Sequence, residues 1–320
     1  MCLNTPLILA NPNLPVRIAT RSPTACSNDK LALFRRPDIT SGIKGMPFMK
    51  KAVIVVAGAV ALLLTGAFLY FYARPQPTAR PVSANGSHIS VLFIGNSYTY
   101  TNSLPAMVSA IAESLGDRVD YDMAAPGGYT LQQHAKDADT LAKIRSKPWD
   151  FVVLQEQSLM PAYPDASIAW YVTPAAKQLV QAVRDAHGAT KLVFFETWGR
   201  QNGDQESCKI APAVCDYGQM QTRLDGTYEM LADVTSAALA PVGAAWGEER
   251  RAYPGIGLYQ NDGSHPSRAG TYLAACVFYM TLFHKPVVGA ATLDLAPSTA
   301  AQLQDVAQQA VAAELKRKKI

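Results

Sequence analysis

Short apolar runs alternate with longer amphipathic stretches from residue 88 onward, and this alternation limits the possible folds more than any other feature of the chain. The runs predict five strands, each followed by a helix, near residues 89–94, 119–123, 150–154, 191–195 and 241–246. Strands joined through helices pair in parallel with right-handed crossovers. The sequence therefore predicts an α/β fold, a three-layer α/β/α domain around a five-stranded parallel sheet.

The chain is predicted to have three parts before this domain. Residues 1–48 show no sustained periodicity, which indicates a disordered extension or a start codon assigned too early. Residues 49–73 contain an uncharged apolar run long enough to cross a bilayer as one helix, and we expect a transmembrane signal-anchor there. Residues 74–87 contain three prolines and are expected to form a linker to the domain at 88–320.

Basic residues before the apolar run favour a cytoplasmic amino terminus. We therefore expect a bacterial inner-membrane protein that contacts the membrane through one N-terminal helix. Its domain would lie in the periplasm or outside the cell. Cleavage of the apolar segment as a signal peptide would instead give a secreted protein.

The charge distribution argues against nucleic acid as a partner. Residues 1–51 contain eight basic and two acidic side chains, and the remaining 21 basic and 23 acidic side chains leave the rest of the chain near −2. Apart from the basic run at 316–319, no clustered basic stripe is present to release counterions from phosphates.

Two short motifs far apart in the chain supply the residue types of nucleophilic catalysis. Ser97 follows the first predicted strand after a Gly-Asn turn, which places its hydroxyl at the carboxyl edge of the sheet. Asp262 precedes His265 by three residues, so its carboxylate can hydrogen-bond one imidazole nitrogen and leave the other free for the Ser97 proton. The motifs predict a serine hydrolase. The alternatives for the second motif are a helix entry capped by Ser264 and half of a metal site.

Four motifs over about residues 89–285 occur in the order of the sequence blocks of the SGNH (GDSL-type) hydrolases. They are Gly95-Asn96-Ser97, Gly127-Gly128-Tyr129-Thr130, Val152-Val153-Leu154-Gln155-Glu156-Gln157-Ser158 and Asp262-Gly263-Ser264-His265. The chain resembles a bacterial branch of that superfamily whose function is not settled. The resemblance implies a flavodoxin-like sheet and a carboxylic ester hydrolase that requires no metal and no organic cofactor.

The resemblance also implies the catalytic residues. Ser97 matches the nucleophile of the first block, although Asn96 stands where the family usually has an acidic residue. Asp262 and His265 match the last block without alteration. The implied reaction forms an acyl-enzyme on Ser97, which a water activated by His265 then hydrolyses.

An oxyanion hole is implied by the same comparison. The N–H groups of Ser97 and Gly128 are its expected backbone donors, with Gly127 as the alternative to Gly128. The third block lacks the usual Asn donor. Gln155 is the expected substitute, because some sugar acetylesterases that resemble this superfamily have a Gln at the corresponding strand end, and Gln157 is the second choice.

Several neighbouring residues are expected to line a substrate pocket. Tyr98 and Tyr129 flank the proposed site, and Gln157 and Trp198 follow strands. Trp198 could equally pack in the core or in a lid. His134 lies on a helical stretch and is expected at the surface.

The stretch at 198–218 has no periodicity and is expected to form a loop at the rim of the site. Cys208 and Cys215 lie close together in this loop, and an oxidising compartment would let them form a disulfide. The alternative is a pair of free thiols. Cys276 lies in an apolar helical stretch and is expected in the core.

Three functions are compatible with these residues. The first is an esterase that removes small acyl groups, such as acetyl, from a glycan or another small-molecule ester outside the cytoplasm. The second is an acyltransferase in which a sugar hydroxyl replaces water. The third is a catalytically silent domain that binds carbohydrate in the same cleft.

Overall fold

The predicted parallel sheet is present in the computed structural model of the protein, which describes residues 86–318. The strands are His88–Ile94 (β1), Arg118–Ala124 (β2), Phe151–Leu154 (β3), Lys191–Phe195 (β4) and Ala238–Ala240 (β5). All neighbouring pairs are parallel, and the spatial order is β2-β1-β3-β4-β5. This is the flavodoxin-like order. The predicted fold class is confirmed.

Helices connect the strands and cover both faces of the sheet. They are Ser97–Tyr100 (α1), Leu104–Ser114 (α2), Leu131–His134 (α3), Ala138–Arg145 (α4), Thr173–Ala186 (α5), Tyr217–Thr235 (α6), Val242–Ala252 (α7), Arg268–Phe283 (α8) and Pro297–Arg317 (α9). Single turns of helix lie at Thr101–Ser103, Met160–Ala162, Asp165–Ser167, Ile168–Val172 and Pro212–Cys215.

Alternate side chains of the strands face two separate apolar cores. In β1, Val91 and Phe93 pack with α2, α7, α8 and α9, whereas Leu92 and Ile94 pack with α3, α4, α5 and α6. All four side chains are fully buried. Burial of such a side chain stabilises a fold by roughly 1.5–3 kcal/mol, so both helical layers are held to the sheet by apolar contact.

The order of the strands opens a crevice at the carboxyl ends of β1 and β3. These two strands end in register, with Ile94 beside Leu154. From β1 the chain moves to β2 on one side and later returns to β3 on the other, and ligands of such sheets bind at this switch point. Ser97 follows β1 and Gln155 follows β3, so both lie at the crevice.

The fifth strand differs from the prediction at 241–246. The strand is Ala238–Ala240, and it ends before Pro241, after which α7 begins. Alanine has a low intrinsic preference for strands, so this segment is extended because β4 pairs with it, with Phe194 beside Leu239. The residues after Pro241 are rich in Ala, Glu and Arg, which favour helix.

The predictions for the N-terminal extension at 1–48, for the signal-anchor at 49–73 and for nearly all of the linker concern residues outside the described part of the chain. Within residues 86–318, no helix combines the length and the apolar character needed to span a bilayer.

Candidate active site

Ser97, His265 and Asp262 form one hydrogen-bonded row at the carboxyl edge of the sheet. The Oγ of Ser97 lies 2.9 Å from Nε2 of His265, and Nδ1 of His265 lies 2.5 Å from Oδ2 of Asp262. Ser97 is the first residue of α1, which begins because Asn96 accepts a hydrogen bond from the Tyr98 N–H. The fold thus brings together two motifs that are 168 residues apart in the chain.

The Asp262 carboxylate orients the imidazole. Its Oδ1 accepts hydrogen bonds of 2.9 Å from the backbone N–H groups of Ser264 and His265. Partial burial raises the pKa of the Asp262 carboxyl, but the hydrogen bonds from His265 and from these N–H groups outweigh it and hold the pKa below its usual value. An ionised carboxylate only accepts, so Nδ1 of His265 carries a proton and Nε2 can accept the Ser97 hydroxyl proton.

The side chain of Gln155 holds the turn that carries Ser97. Its Oε1 accepts from the Asn96 N–H and from the Thr99 hydroxyl, each at 2.9 Å. Its Nε2 donates to Asn96 Oδ1 at 3.0 Å and to the Glu156 carbonyl at 2.5 Å. Gln155 is fully buried, and both of its N–H groups are used inside the protein. The prediction that Gln155 donates to an oxyanion is therefore wrong.

His134 also supports this turn and is fully buried, contrary to the surface position expected from its helix. Its Nε2–H donates to the Gly95 carbonyl at 2.7 Å, and its Nδ1 lies 2.9 Å from the Thr140 hydroxyl. Burial lowers the pKa of His134, which favours the neutral imidazole. Gly95 itself leaves no room for a side chain, because a Cβ there would overlap Oε1 of Gln155 and Oγ1 of Thr99.

Backbone donors for an oxyanion are available beside Ser97. The N–H groups of Ser97 and Gly128 have no hydrogen-bond partner among the described residues. Gly128 is exposed and has a φ of +72°, which favours glycine. Its segment is tied to the nucleophile turn, since Asn96 Nδ2 donates to the Tyr129 carbonyl at 2.9 Å.

Gln157 presents a side-chain donor that Gln155 does not. Its Oε1 accepts from the N–H groups of Leu159 and Met160 at 2.8 and 3.2 Å. Its Nε2 makes only a long contact of 3.4 Å with Ser158 Oγ. The half-buried amide is thus held by its oxygen and keeps donor capacity.

Tyr98 and Trp198 lie beneath the catalytic turn and do not line a pocket. They are 2% and 0% exposed, and their rings stack at 4.6 Å between centroids. Trp198 also stacks on Trp246, and its Nε1–H donates to the Ser264 carbonyl. The expectation that these two rings contact substrate is wrong, because stacking buries them in the core. Tyr129 is half-buried, as a lining residue would be.

Cys208 and Cys215 are joined by a disulfide within the loop at 198–218. This loop also contains the ion pair between Arg200 and the buried Asp204. Cys276 is buried in the core. The loop is therefore cross-linked internally, although apart from one turn of helix at Pro212–Cys215 it has little regular structure.

Glu156 is a buried acid next to the site to which the sequence assigned no role. Its Oε1 accepts from the N–H groups of Leu131 and Gln157 at 3.1 and 2.6 Å. Burial raises the pKa of Glu156 to about 7. The side chain joins the end of β3 to the start of α3. Within residues 86–318, no group of three or more His, Cys, Asp and Glu side chains could hold a metal ion.

Comparison with known proteins identifies the family of this fold. No protein-family model matches the sequence, and neither does any curated protein. Among solved structures, a DUF4886 family protein from Bacteroides uniformis ATCC 8492 superposes with a TM-score of 0.57 at 21% identity, over 70% of this chain and 95% of that one. A candidate SGNH hydrolase from Slackia heliotrinireducens superposes with a TM-score of 0.51 at 30% identity, over 62% of this chain and 100% of that one. From its fold and this identity over the whole length of the second protein, the chain belongs to the SGNH hydrolase superfamily.

Proposed function

We propose that this hydrolase is a serine esterase that removes short acyl groups, acetyl above all, from a glycan or another ester outside the cytoplasm. The observation that carries the proposal is the hydrogen-bonded row from Ser97 Oγ through His265 to Asp262. A serine hydroxyl is a weak nucleophile until an oriented imidazole accepts its proton, and this row supplies that base.

The proposed reaction has two steps. In the first, Ser97 Oγ attacks the ester carbonyl, His265 Nε2 takes the hydroxyl proton, and the same proton then passes to the departing alcohol. In the second, His265 takes a proton from water, the hydroxide attacks the acyl-enzyme, and Ser97 Oγ leaves with the proton from His265. Asp262 stabilises the imidazolium in both steps.

The negative charge on the carbonyl oxygen would be met by three donors. Two are the N–H groups of Ser97 and Gly128, which are unpaired among the described residues. The third is Gln157 Nε2, which replaces Gln155 in this role because its hydrogens are not engaged in short hydrogen bonds. Loss of one such donor typically costs about 2.7–4 kcal/mol of transition-state stabilisation.

The shape of the site supports a short acyl group on a bulky alcohol. His265 and Asp262 have side chains 34% and 46% exposed, so the catalytic row is open to solvent. Cavities of about 220 to 630 Å³ lie elsewhere in the described domain, with linings that contain neither Ser97 nor His265. A long acyl chain requires an apolar cavity at the serine, whereas an acetyl group on a glycan fits an open site.

The location outside the cytoplasm is part of the proposal. The uncharged run at 49–73 would anchor the chain in the inner membrane, or would direct secretion if it is cleaved. The disulfide between Cys208 and Cys215 supports this location, because disulfides persist in oxidising compartments.

Ester turnover by the purified protein tests the function. We expect hydrolysis of aryl acetate to exceed that of aryl octanoate, and we expect acetate release from acetylated sugars. Ser97→Ala and His265→Ala should each lower kcat by about 1,000-fold or more, whereas the exposed Ser146→Ala should leave it unchanged. Equal turnover in the wild type and in Ser97→Ala would refute the proposal, and transfer of the acyl group to an added glycan would identify an acyltransferase instead.

A further inference from the structure

Two successive residues after the nucleophile helix have left-handed backbone conformations. Asn102 has a φ of 53° and Ser103 a φ of 57°. Residues with a Cβ rarely adopt this conformation, and such strain persists only where surrounding contacts impose it. Asn is among the few residues that tolerate it, whereas Ser has no such preference. Asn102 lies five residues after the nucleophile, so contacts that impose its conformation also act on the segment that carries Ser97.

The side chain of Asn102 reaches the segment that follows the catalytic histidine. Its Nδ2 donates to the Pro266 carbonyl at 3.0 Å and to the Thr271 hydroxyl at 2.8 Å. Pro266 directly follows His265, and Thr271 lies in the first turn of α8. One amide thus connects the nucleophile segment to the histidine turn and to the helix behind it.

A second contact connects the other side of the histidine to the same segment. The Tyr98 hydroxyl lies 2.7 Å from Ser264 Oγ, and Ser264 directly precedes His265. Both hydroxyls are buried. Tyr98 follows Ser97 directly. The residues on either side of His265 are therefore each hydrogen-bonded to the segment that carries the nucleophile.

We propose that Asn102 and Tyr98 are positioning residues for the catalytic reaction, which set the separation of Ser97 Oγ from His265 Nε2. We call the Asn102–Pro266 and Tyr98–Ser264 hydrogen bonds the histidine clamp. The proposal rests on the esterase function proposed above. Its physical reason is that the His265 side chain is about one third exposed on a turn, where the edge-to-face contact with the Tyr98 ring does not fix its position alone.

The clamp predicts a specific kinetic effect. A misplacement of about 1 Å between reacting groups can cost about 100-fold in rate. The two bonds are buried or partly buried beneath the catalytic turn, so we expect substrate affinity to be unaffected. Loss of the Asn102 bonds should therefore lower kcat and leave KM unchanged.

Three substitutions separate hydrogen bonding from backbone preference. Glycine in Asn102→Gly adopts the left-handed φ readily, but this variant lacks the side-chain amide. Aspartate in Asn102→Asp has the shape of asparagine and also tolerates a positive φ, but its carboxylate oxygen cannot donate to the Pro266 carbonyl. The matched control is Ser103→Gly. It relieves the backbone strain of a positive φ at the exposed neighbouring residue, whose side chain makes no hydrogen bond to the histidine turn. Tyr98→Phe removes the other bond of the clamp.

We expect kcat for aryl acetate to fall about 10- to 100-fold in Asn102→Gly and Asn102→Asp, with KM within about 2-fold of the wild type. Ser103→Gly should keep kcat within about 2-fold. Addition of Tyr98→Phe to Asn102→Gly should cost less than the product of the single effects, because both bonds restrain one turn. The proposal would be refuted if both Asn102 variants had the kcat of the wild type, or if Ser103→Gly lost as much kcat as they do.

A readout without turnover keeps the two proposals apart. The downfield proton resonance of His265 Nδ1–H should persist in the full-length wild type and in Ser103→Gly, and should be lost to solvent exchange in both Asn102 variants. If that pattern occurs in a wild type that hydrolyses no ester, the clamp stands and the proposed function fails. If the wild type is active and the resonance persists in every variant, the clamp fails and the function stands.

Discussion

Replacement of Gln155 by methionine distinguishes a residue that holds the nucleophile turn from one that stabilises an oxyanion. Methionine has a similar length and no hydrogen-bonding groups, so Gln155→Met removes all four side-chain hydrogen bonds at once. The Asn96 N–H, the Thr99 hydroxyl and the Glu156 carbonyl then lose a partner in the protein interior. Each such group costs about 1–3 kcal/mol.

Three unpaired groups give an expected loss of about 3–9 kcal/mol in the free energy of unfolding. Because small domains have only about 5–15 kcal/mol in total, the variant should unfold at a much lower urea concentration. The assay is urea unfolding followed by tryptophan fluorescence, with kcat measured on the folded fraction.

Gln157→Met is the matched control. The change leaves the Leu159 N–H without its partner, whereas the Met160 N–H also donates to the Gln157 carbonyl, so we expect a smaller loss of stability, about 1–3 kcal/mol. Its effect should fall on kcat, by about 100-fold or more if Gln157 is an oxyanion donor. The reverse pattern, a stable Gln155→Met variant with a large loss of kcat, would refute this assignment of the two amides.

Three further predictions follow from single contacts. Gly95→Ala should destabilise the fold by about 1–3 kcal/mol and abolish turnover, as measured by urea unfolding and ester assay; an active, stable variant would show that the turn can open. Reduction of the Cys208–Cys215 disulfide should lower the free energy of unfolding by about 2 kcal/mol, and coincident urea midpoints with and without reductant would contradict this. Burial raises the pKa of Glu156 to about 7, so the folded state binds its proton more tightly than the unfolded chain and stability falls as pH rises from about 4.5 to about 7. Glu156→Gln should remove about 2–3 kcal/mol of this decline between pH 5 and pH 8. If the free energy of unfolding falls equally with pH in the wild type and in the variant, Glu156 does not cause the decline.

The sequence predicted β1, β3 and β4 well because each contains a run of apolar, largely β-branched or aromatic residues, and it predicted β2 because apolar and charged residues alternate there. The fifth strand was misplaced because Ala238–Ala240 is extended through pairing with β4 and not through its own preference. The conformation of that segment depends on tertiary contact, which no local sequence pattern indicates.

The catalytic row was predictable because Ser97, Asp262 and His265 stand in short motifs whose chemistry is local. The roles of Gln155 and His134 were not, since both depend on which way a polar side chain turns at a strand end or on a helix. Each turns inward because the nucleophile turn offers buried N–H and C=O groups that require partners. Periodicity cannot distinguish such a residue from one at the surface.

Trp198 and Asn102 illustrate the same limit. Trp198 follows β4 as a pocket residue would, yet the rings of Tyr98 and Trp246 enclose it. Asn102 lies between two helices with no motif of its own, and its significance appears only in its contacts with Pro266. The only sequence signal at Asn102 is that it and Ser103 are polar residues before a helix with a proline in its first turn.

Covalent labelling tests most directly whether His265 activates Ser97. Intact-mass measurement after treatment with a fluorophosphonate should give one adduct per chain in the wild type, located on Ser97 by peptide mapping. The adduct should be absent in Ser97→Ala and should form at least about 1,000-fold more slowly in His265→Ala. A wild type that remains unlabelled, or equal labelling rates with and without His265, would show that His265 does not activate Ser97.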